Sequence, residues 1–414
     1  MKKKILISNG YKDFFLISTA KKLLKLNFNI TLFSGYFLNS FLETFFNKTK
    51  IKPKKISKLI ERRQNINRKY LKTLFLGEFI HEISLIIKNK KISNFLRILS
   101  YELYQFIISR YLKKNHKNIK VYHFRSGFGG KSIELAKSYG IKVICDHSIA
   151  HPCLIKFMTD NKGKYPLKKP KLKKDFWTYV LSDIEKTDIL LVNSYFVKKT
   201  LIFMGIPQKK INVIYLGLDT RYPKFNKKKI YPNKINNKIK FLFAGGIEKR
   251  KGIHEIFKAF KYLEKLKIKN FELNIAGSVS DEVKKEFNEF IKNKNIKYHG
   301  ILNYKELIDL MFNSHVFVFP SRVEGSARVV PEAMAAGCAI ITTENTGSVV
   351  KNNKNGIIIN PGDSVNLLKA LIKFIKNPKL IKVYGSANKN LILRKYNTNI
   401  YIKNLVKLYN SNNV

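Results

Sequence analysis

Short apolar runs alternate along the chain with stretches in which apolar positions return every three or four residues. IKFLFAG (239–245) reads as a strand, 252–266 as an amphipathic helix, FELNIAG (271–277) as a strand, 281–293 as a helix and IKYHG (296–300) as a strand. Helix 304–313, strand HVFVF (315–319), a short helix opening at Pro331, strands AIITT (339–343) and GIIIN (356–360), and helix 363–376 follow. The first half repeats the theme: strand 4–8, helix 14–26, strand 28–33, strand 119–124, helix 130–139, strand 141–146 and strand 189–192. Within that half, 48–117 reads as helical and basic. Strands alternating with helices in this way predict parallel, doubly wound sheets, here two Rossmann-like α/β domains facing a cleft. KINVIYLGLD (210–219) reads as strand plus turn, and 222–238, with Pro223, Pro232 and many Lys and Asn, suits a linker. The expected domains are 1–212 and 213–396, with a helix at about 397–414 packing back on the first.

Composition narrows the class. Apolar residues make up 45% and aromatics 13%, ample for packed cores, and 414 residues suit two domains. No run of 18 apolar residues occurs, so no transmembrane helix is expected. The opening MKKKILISNGYKDFF is interrupted by Asn9, Lys12 and Asp13, which suits a first strand rather than a signal peptide. Cys145, Cys153 and Cys338 are odd in number and lack Cys-x-x-Cys spacing, pointing to a reducing compartment without structural zinc. The formal charge is +52, from 80 Lys+Arg against 28 Asp+Glu. Of the basic residues 69 are Lys and 11 Arg, beside 40 Asn and 13 Ala, a bias that A/T-rich codons produce without selection for binding. The densest stretch, 48–120, holds 20 basic and 4 acidic groups.

Three constellations carry candidate chemistry. In PSRVEGSARVVPEAMAAG (320–337), Glu324 and Glu332 stand eight apart around a turn of small residues, and Pro331 fits a first helical turn. Free N–H groups at such a loop and helix start favour a phosphate, and a carboxylate there can accept from two neighbouring hydroxyls of a ribose. In AGGIEKRKGIHEIFKAF (244–260), Arg250 and Lys251 lie between strand glycines and a helix start, where two cations can hold a diphosphate. In IKVICDHSIAHP (141–152), His147 ends a strand where it can face a cleft. The spacing to His151 is that of a metal pair, but Pro152 and the missing helical pattern argue against one. A buried structural histidine, a dipole-bound Glu332 and a solvated Glu324 are the alternatives. No G-x-S-x-G, Walker A or G-x-G-x-x-G motif occurs.

Taken in order, the strand–RKG–helix of 241–260, EGSARVVPEAMAAG (324–337), TENTGSVVKNNKNGIIINPGD (343–363) and the stretch 187–219 resemble a glycosyltransferase of family 4 type, among the group 1 enzymes, over about 187–395. The resemblance implies the GT-B fold and retaining, metal-independent transfer from a nucleotide-sugar donor to a glycan or lipid-linked acceptor, in surface polysaccharide or glycolipid synthesis. No cofactor is implied, since the nucleotide-sugar is a substrate. Arg250 and Lys251 would neutralise the diphosphate, Glu332 would bind the ribose, and Glu324 would lie near the donor sugar. His147 matches the histidine that contacts that sugar. Gly246, Gly325, Ser326, Ala327, Arg328, Val329 and Val330 would complete the donor site, and Gly10, Asn193 and Ser194 would line the cleft or acceptor side. Two departures stand out. Ala327 and Arg328 replace the usual glycine and aliphatic residue, and Gly246 stands where an arginine is familiar, leaving that role to Arg250.

Residues 70–112 mix aromatics, aliphatics and clustered Lys/Arg, as an interfacial segment facing anionic lipid does; a helical insertion with a solvated lysine face is the alternative. The expected location is cytoplasmic, or peripheral on the inner face of the membrane. A nucleic-acid binder motivated by the charge lacks any helix-turn-helix, RNP or zinc pattern. A catalytically silent GT-B subunit, binding sugar nucleotides or scaffolding a partner, is the other reading.

Overall fold

The computed structural model describes residues 4–12, 14–37, 66–171, 177–219, 225, 227–232, 234 and 237–411. The 48–65 part of the basic segment, and several residues of the 222–238 linker, lie outside the described residues.

The first sheet has seven parallel strands. They are β1 (Lys4–Ser8), β2 (Ile30–Ser34), β3 (Leu71–Thr73), β4 (Ile119–Arg125), β5 (Lys142–His147), β6 (Ile189–Val192) and β7 (Ile211–Val213), in the order β3-β2-β1-β4-β5-β6-β7. The second has six: β8 (Ile239–Ala244), β9 (Phe271–Ala276), β10 (Ile296–Tyr298), β11 (Val316–Phe319), β12 (Ala339–Thr343) and β13 (Ile357–Ile359), ordered β10-β9-β8-β11-β12-β13. Order reverses between β1 and β4 and between β8 and β11. The crevices outside the carboxyl ends of those strands are where such sheets bind ligands.

The helices follow the apolar period. In α8 (Ile253–Lys265), Ile253, Ile256, Phe257, Phe260 and Leu263 are buried on one stripe against the second sheet. Burying each such side chain contributes roughly 1.5–3 kcal/mol. The first sheet has a core on each face. One contains helix α3 (Lys90–Asn115) through Tyr104, Ile108 and Leu112. The other contains α1 (Phe15–Lys25) together with Tyr401, Ile402, Leu405 and Tyr409 of the last helix, α14 (Thr398–Asn410). The chain crosses between the two sheets at β7 and returns beside itself, where Leu218 pairs in parallel with Asn397.

Three local expectations change. The segment after residue 66 is not wholly helical: Leu71–Thr73 adds an edge strand to β2 before α2 (Phe75–Ile86) begins. The short helix in the second domain, α11 (Val329–Ala335), opens two residues before Pro331, which remains within its first turn. The helix expected at 281–293 is a 3-10 turn at Asp281–Val283 followed by α9 (Lys284–Phe290).

Candidate functional site

The Lys249–Lys251 turn closes at Gly252, whose φ of +76° and whose missing Cβ, which would meet the Pro320 oxygen at 2.1 Å, press the turn against the end of β11. The Arg250 carbonyl then accepts from Arg322 N at 2.9 Å and Ser321 Oγ at 3.0 Å. This brings two cations onto one carboxylate: Arg250 Nη1 donates to Glu324 Oε1 at 2.9 Å, and Lys251 Nζ donates to the same oxygen. Arg250 Nη2 also reaches Glu248 Oε1 at 2.7 Å. Partial burial of Lys251 and Glu324 (15% and 12% exposed side chains) strengthens their attraction relative to a surface pair. Gly246 lies on the same strand-end turn, and a Cβ there would make ordinary contact with Glu248 at 3.5 Å.

Across the cleft, the loop after β5 lies directly on Gly325. A Cβ at Gly325 would meet the Ser148 oxygen at 2.1 Å and Ile149 Cα at 2.9 Å. Ser194 Oγ donates to the Gly325 carbonyl at 2.6 Å, and Asn193 Nδ2 donates to the Ser148 carbonyl at 3.2 Å. His147 is fully buried. Its Nδ1 pairs with Ser126 Oγ at 3.0 Å, and its Nε2 has no hydrogen-bond partner among the described residues. Burial, helped by the nearby His151, pushes its pKa down to about 3, so the ring is neutral at pH 7. Nε2 is itself buried in the ring's packing. His151 does not join it as a ligand pair: its Nδ1 accepts from Cys153 N at 3.3 Å and caps helix α5 (Pro152–Asp160).

Glu332 sits in the first turn of α11 and is only 8% exposed. Burial raises its pKa to about 7, with Arg328 pulling the other way, and its carboxylate has no hydrogen-bond partner among the described residues. Val330 is buried beneath it in the second core, with Val329 packed against that core. The N–H groups around this turn are only partly available, because Ala327 N donates to the Thr346 carbonyl at 3.0 Å and Glu324 N to the Asn345 carbonyl at 3.0 Å. The anion cradle pictured over Gly325–Ala327 therefore lacks one of its three donors. Ser326 and Arg328 line a cavity of ≈ 620 Å³ that Phe14, Phe15 and Ser18 of the first domain enclose from the other side. Gly10 is not open to the cleft in the way a phosphate-binding turn is: Phe128 lies against it, and its N–H donates to Tyr104 Oη at 3.2 Å.

Sequence reasoning missed two residues that organise the site. Arg322 is buried, donates to Glu255 Oε1 from Nε at 3.0 Å and Nη2 at 2.5 Å, and reaches across to the Thr159 carbonyl of the first domain at 2.9 Å. Its signal was present, since arginine is scarce in this chain and Arg322 stands two residues before Glu324. Asp183, in helix α6 (Trp177–Lys186), accepts backbone N–H bonds from Gly127, Gly129 and Gly130 at 2.7, 2.9 and 2.7 Å. That carboxylate holds the loop carrying Ser126, and nothing local to residue 183 announces it. Among the described residues no group of three or more His, Cys, Asp or Glu side chains is arranged to hold a metal ion.

The model of the family described as glycosyl transferases group 1 matches residues 225–391. An uncharacterised glycosyltransferase of Methanocaldococcus jannaschii is 28% identical over 231 residues, 54% of this chain and 59% of that protein. The capsular polysaccharide biosynthesis glycosyltransferase CapM of Staphylococcus aureus is 28% identical over 257 residues, 58% of this chain and 67% of that protein. The chain thus spans about 59–67% of the length of these two relatives. Among solved structures, Anabaena HepE in complex with UDP superposes with a TM-score of 0.63 at 14% identity, covering 98% of this chain and 99% of that one. With two parallel sheets, switch points facing one cleft and the RKG and E-x7-E loops joined at its second-domain wall, this chain has the GT-B fold, and its residues 225–391 match the group 1 glycosyltransferases.

Proposed function

We propose that this protein transfers a sugar from a nucleotide-sugar donor to a glycan or lipid-linked acceptor in surface polysaccharide or glycolipid synthesis. Transfer proceeds with retention at the anomeric carbon and uses no metal or other cofactor. The observation that carries the reading is the convergence of Arg250 and Lys251 from one loop on Glu324 of another, opposite the buried neutral His147. CapM, named for capsular polysaccharide biosynthesis, and HepE, crystallised with UDP, support the substrate class.

Breaking the anomeric bond leaves negative charge on the departing diphosphate. Arg250 and Lys251 stabilise it as prepositioned cations, worth most where water is excluded. Glu324 holds the two cations in register, and the diphosphate competes with it for them. Glu332 accepts from the ribose hydroxyls in its ionised form. His147, held in orientation by Ser126, hydrogen-bonds a hydroxyl of the donor sugar. The cavity beside Phe14, Phe15 and Arg328 receives the acceptor.

A thermal-shift screen against UDP-, GDP- and ADP-sugars, followed by turnover with and without EDTA, tests this. Stabilisation by one base class and EDTA-insensitive transfer are expected. Absence of both nucleotide binding and transfer would leave a silent subunit as the better reading.

A further inference from the structure

Helix α2 is built inside out. Its buried residues are Gly77, Glu78, His81 and Ser84, while Phe75, Leu76, Phe79, Leu85 and Ile86 are exposed, Ile86 by 80%. Helix α3 extends the same surface with Ile92, Phe95, Leu99 and Phe106. Nine of the 22 exposed large apolar residues among the described residues therefore fall within 75–106, which is clustering rather than scatter. A helix serving only its own fold turns its apolar stripe inward.

The inversion has a structural cause. The Glu78 carboxylate accepts from Lys12 N at 2.9 Å and Tyr36 N at 2.5 Å, joining α2 to the loops that leave β1 and β2 on the cleft side. Tyr11 Oη donates to the Ser100 carbonyl at 2.5 Å and ties α3 to the same place, and the His81 ring lies 5.4 Å from that of Tyr11. Polar groups are spent inward on these bonds, so the apolar side has only the outside to face.

The charges around that face have one sign. Lys88, Lys90 and Lys91 are exposed at the turn between the helices, and Arg110, Lys113 and Lys114 at the far end of α3. The exposed acids of the hairpin are already engaged: Glu82 with Lys12 at 3.1 Å and Glu102 with Tyr179 Oη at 2.7 Å.

We infer that the outer face of the α2–α3 hairpin docks on an anionic phospholipid bilayer, inserting its Phe and Leu side chains among the acyl chain ends while the lysines meet the headgroups. No helix among the described residues is long and apolar enough to cross a membrane, so the hairpin lies in the interface. A protein partner would demand shape complementarity across nine flexible side chains; a bilayer demands only apolar area and positive charge. Docking there sets the cleft-side loops held by Glu78 one helix layer from the lipid.

Vesicle flotation of the full chain tests this independently of sugar transfer. Flotation with phosphatidylglycerol-containing vesicles, and little with pure phosphatidylcholine, is expected. Phe79→Ser/Phe95→Ser should weaken binding about tenfold or more with an unchanged thermal melt, since both side chains are exposed. Lys88→Glu/Lys91→Glu should abolish the preference for anionic lipid while leaving the fold intact. Equal flotation with both lipids, or none with either, overturns the inference. So does concentration-dependent dimerisation in sedimentation velocity that the Phe79/Phe95 variant abolishes, which would make a second copy the occupant.

Discussion

Arg250 Nη1 lies 2.9 Å from Glu324 Oε1, across 74 residues of sequence, and Lys251 shares that oxygen. The cations expected to hold a diphosphate are thus already held by a carboxylate of the same site. Lys251→Ala and Arg250→Ala should each lower kcat/KM for transfer by roughly 10²–10³, the range for losing one prepositioned charge donor. Glu324→Gln should bind free nucleoside diphosphate several-fold more tightly while turning over more slowly, because the competing anion is gone. Calorimetry showing weaker nucleotide binding in that variant would refute the competition.

Glu332 titrates where activity is measured. Its folded pKa, raised by burial from 4.5 to about 7, means the unfolded chain releases this proton first. The stability it contributes is complete below pH 4.5 and is lost as pH rises through 7. Glu332→Gln should remove that loss and be more stable than the parent at pH 8, by at most about 3 kcal/mol. The same variant should bind donor about 10–100-fold more weakly, since Gln offers one acceptor oxygen and no charge. The parent's donor KM should rise as pH falls below 7, because ribose binding uses the ionised form. A flat KM between pH 6 and 8 would remove Glu332 from the ribose site.

Gly252 is where local backbone and remote packing meet. Gly252→Ala combines a φ of +76° with a Cβ at 2.1 Å from the Pro320 oxygen, so the turn must move away from β11. Destabilisation of about 2–4 kcal/mol is expected, from strain plus displaced contacts. Activity should fall further than the lost stability explains, since Arg250 and Lys251 ride on that turn. Urea melts alongside activity at a temperature where the variant is fully folded separate the two effects.

Asp183 satisfies three backbone donors at once, and burial raises its pKa to about 6 despite them. Asp183→Ala should cost about 3–5 kcal/mol in urea unfolding, because Gly127, Gly129 and Gly130 lose their acceptor in a buried loop. Asp183→Asn keeps one acceptor oxygen and should cost less. In either variant kcat should drop without a matching change in donor binding, because Ser126 loses its hold on His147.

The sheets and most helices were legible because their signals are local. A buried parallel strand such as Val316–Phe319 is an unbroken apolar run, and α8 shows its stripe in the spacing of Ile253, Ile256, Phe260 and Leu263. The edge strand Leu71–Thr73 was not legible, because a three-residue strand exists only through pairing with β2. Arg322 and Asp183 were missed for a related reason. A buried charge is identified by the partners that neutralise it, and those lie 67 residues away in Glu255 and about 53–56 away in the glycine loop.

By itself the amino-acid order determined the alternation of elements, the two-sheet class and the loops where chemistry concentrates, since each follows from side-chain period or from motif spacing within one segment. Tertiary structure decided the rest. It placed Arg250 and Lys251 on Glu324, left His147 neutral with one buried ring nitrogen, closed part of the expected N–H cradle through Thr346, and turned the apolar side of α2 outward by drawing Glu78 in. Each of these depends on which distant groups meet in a low-dielectric interior, where pairing and desolvation set charge and orientation, and no local pattern encodes that meeting.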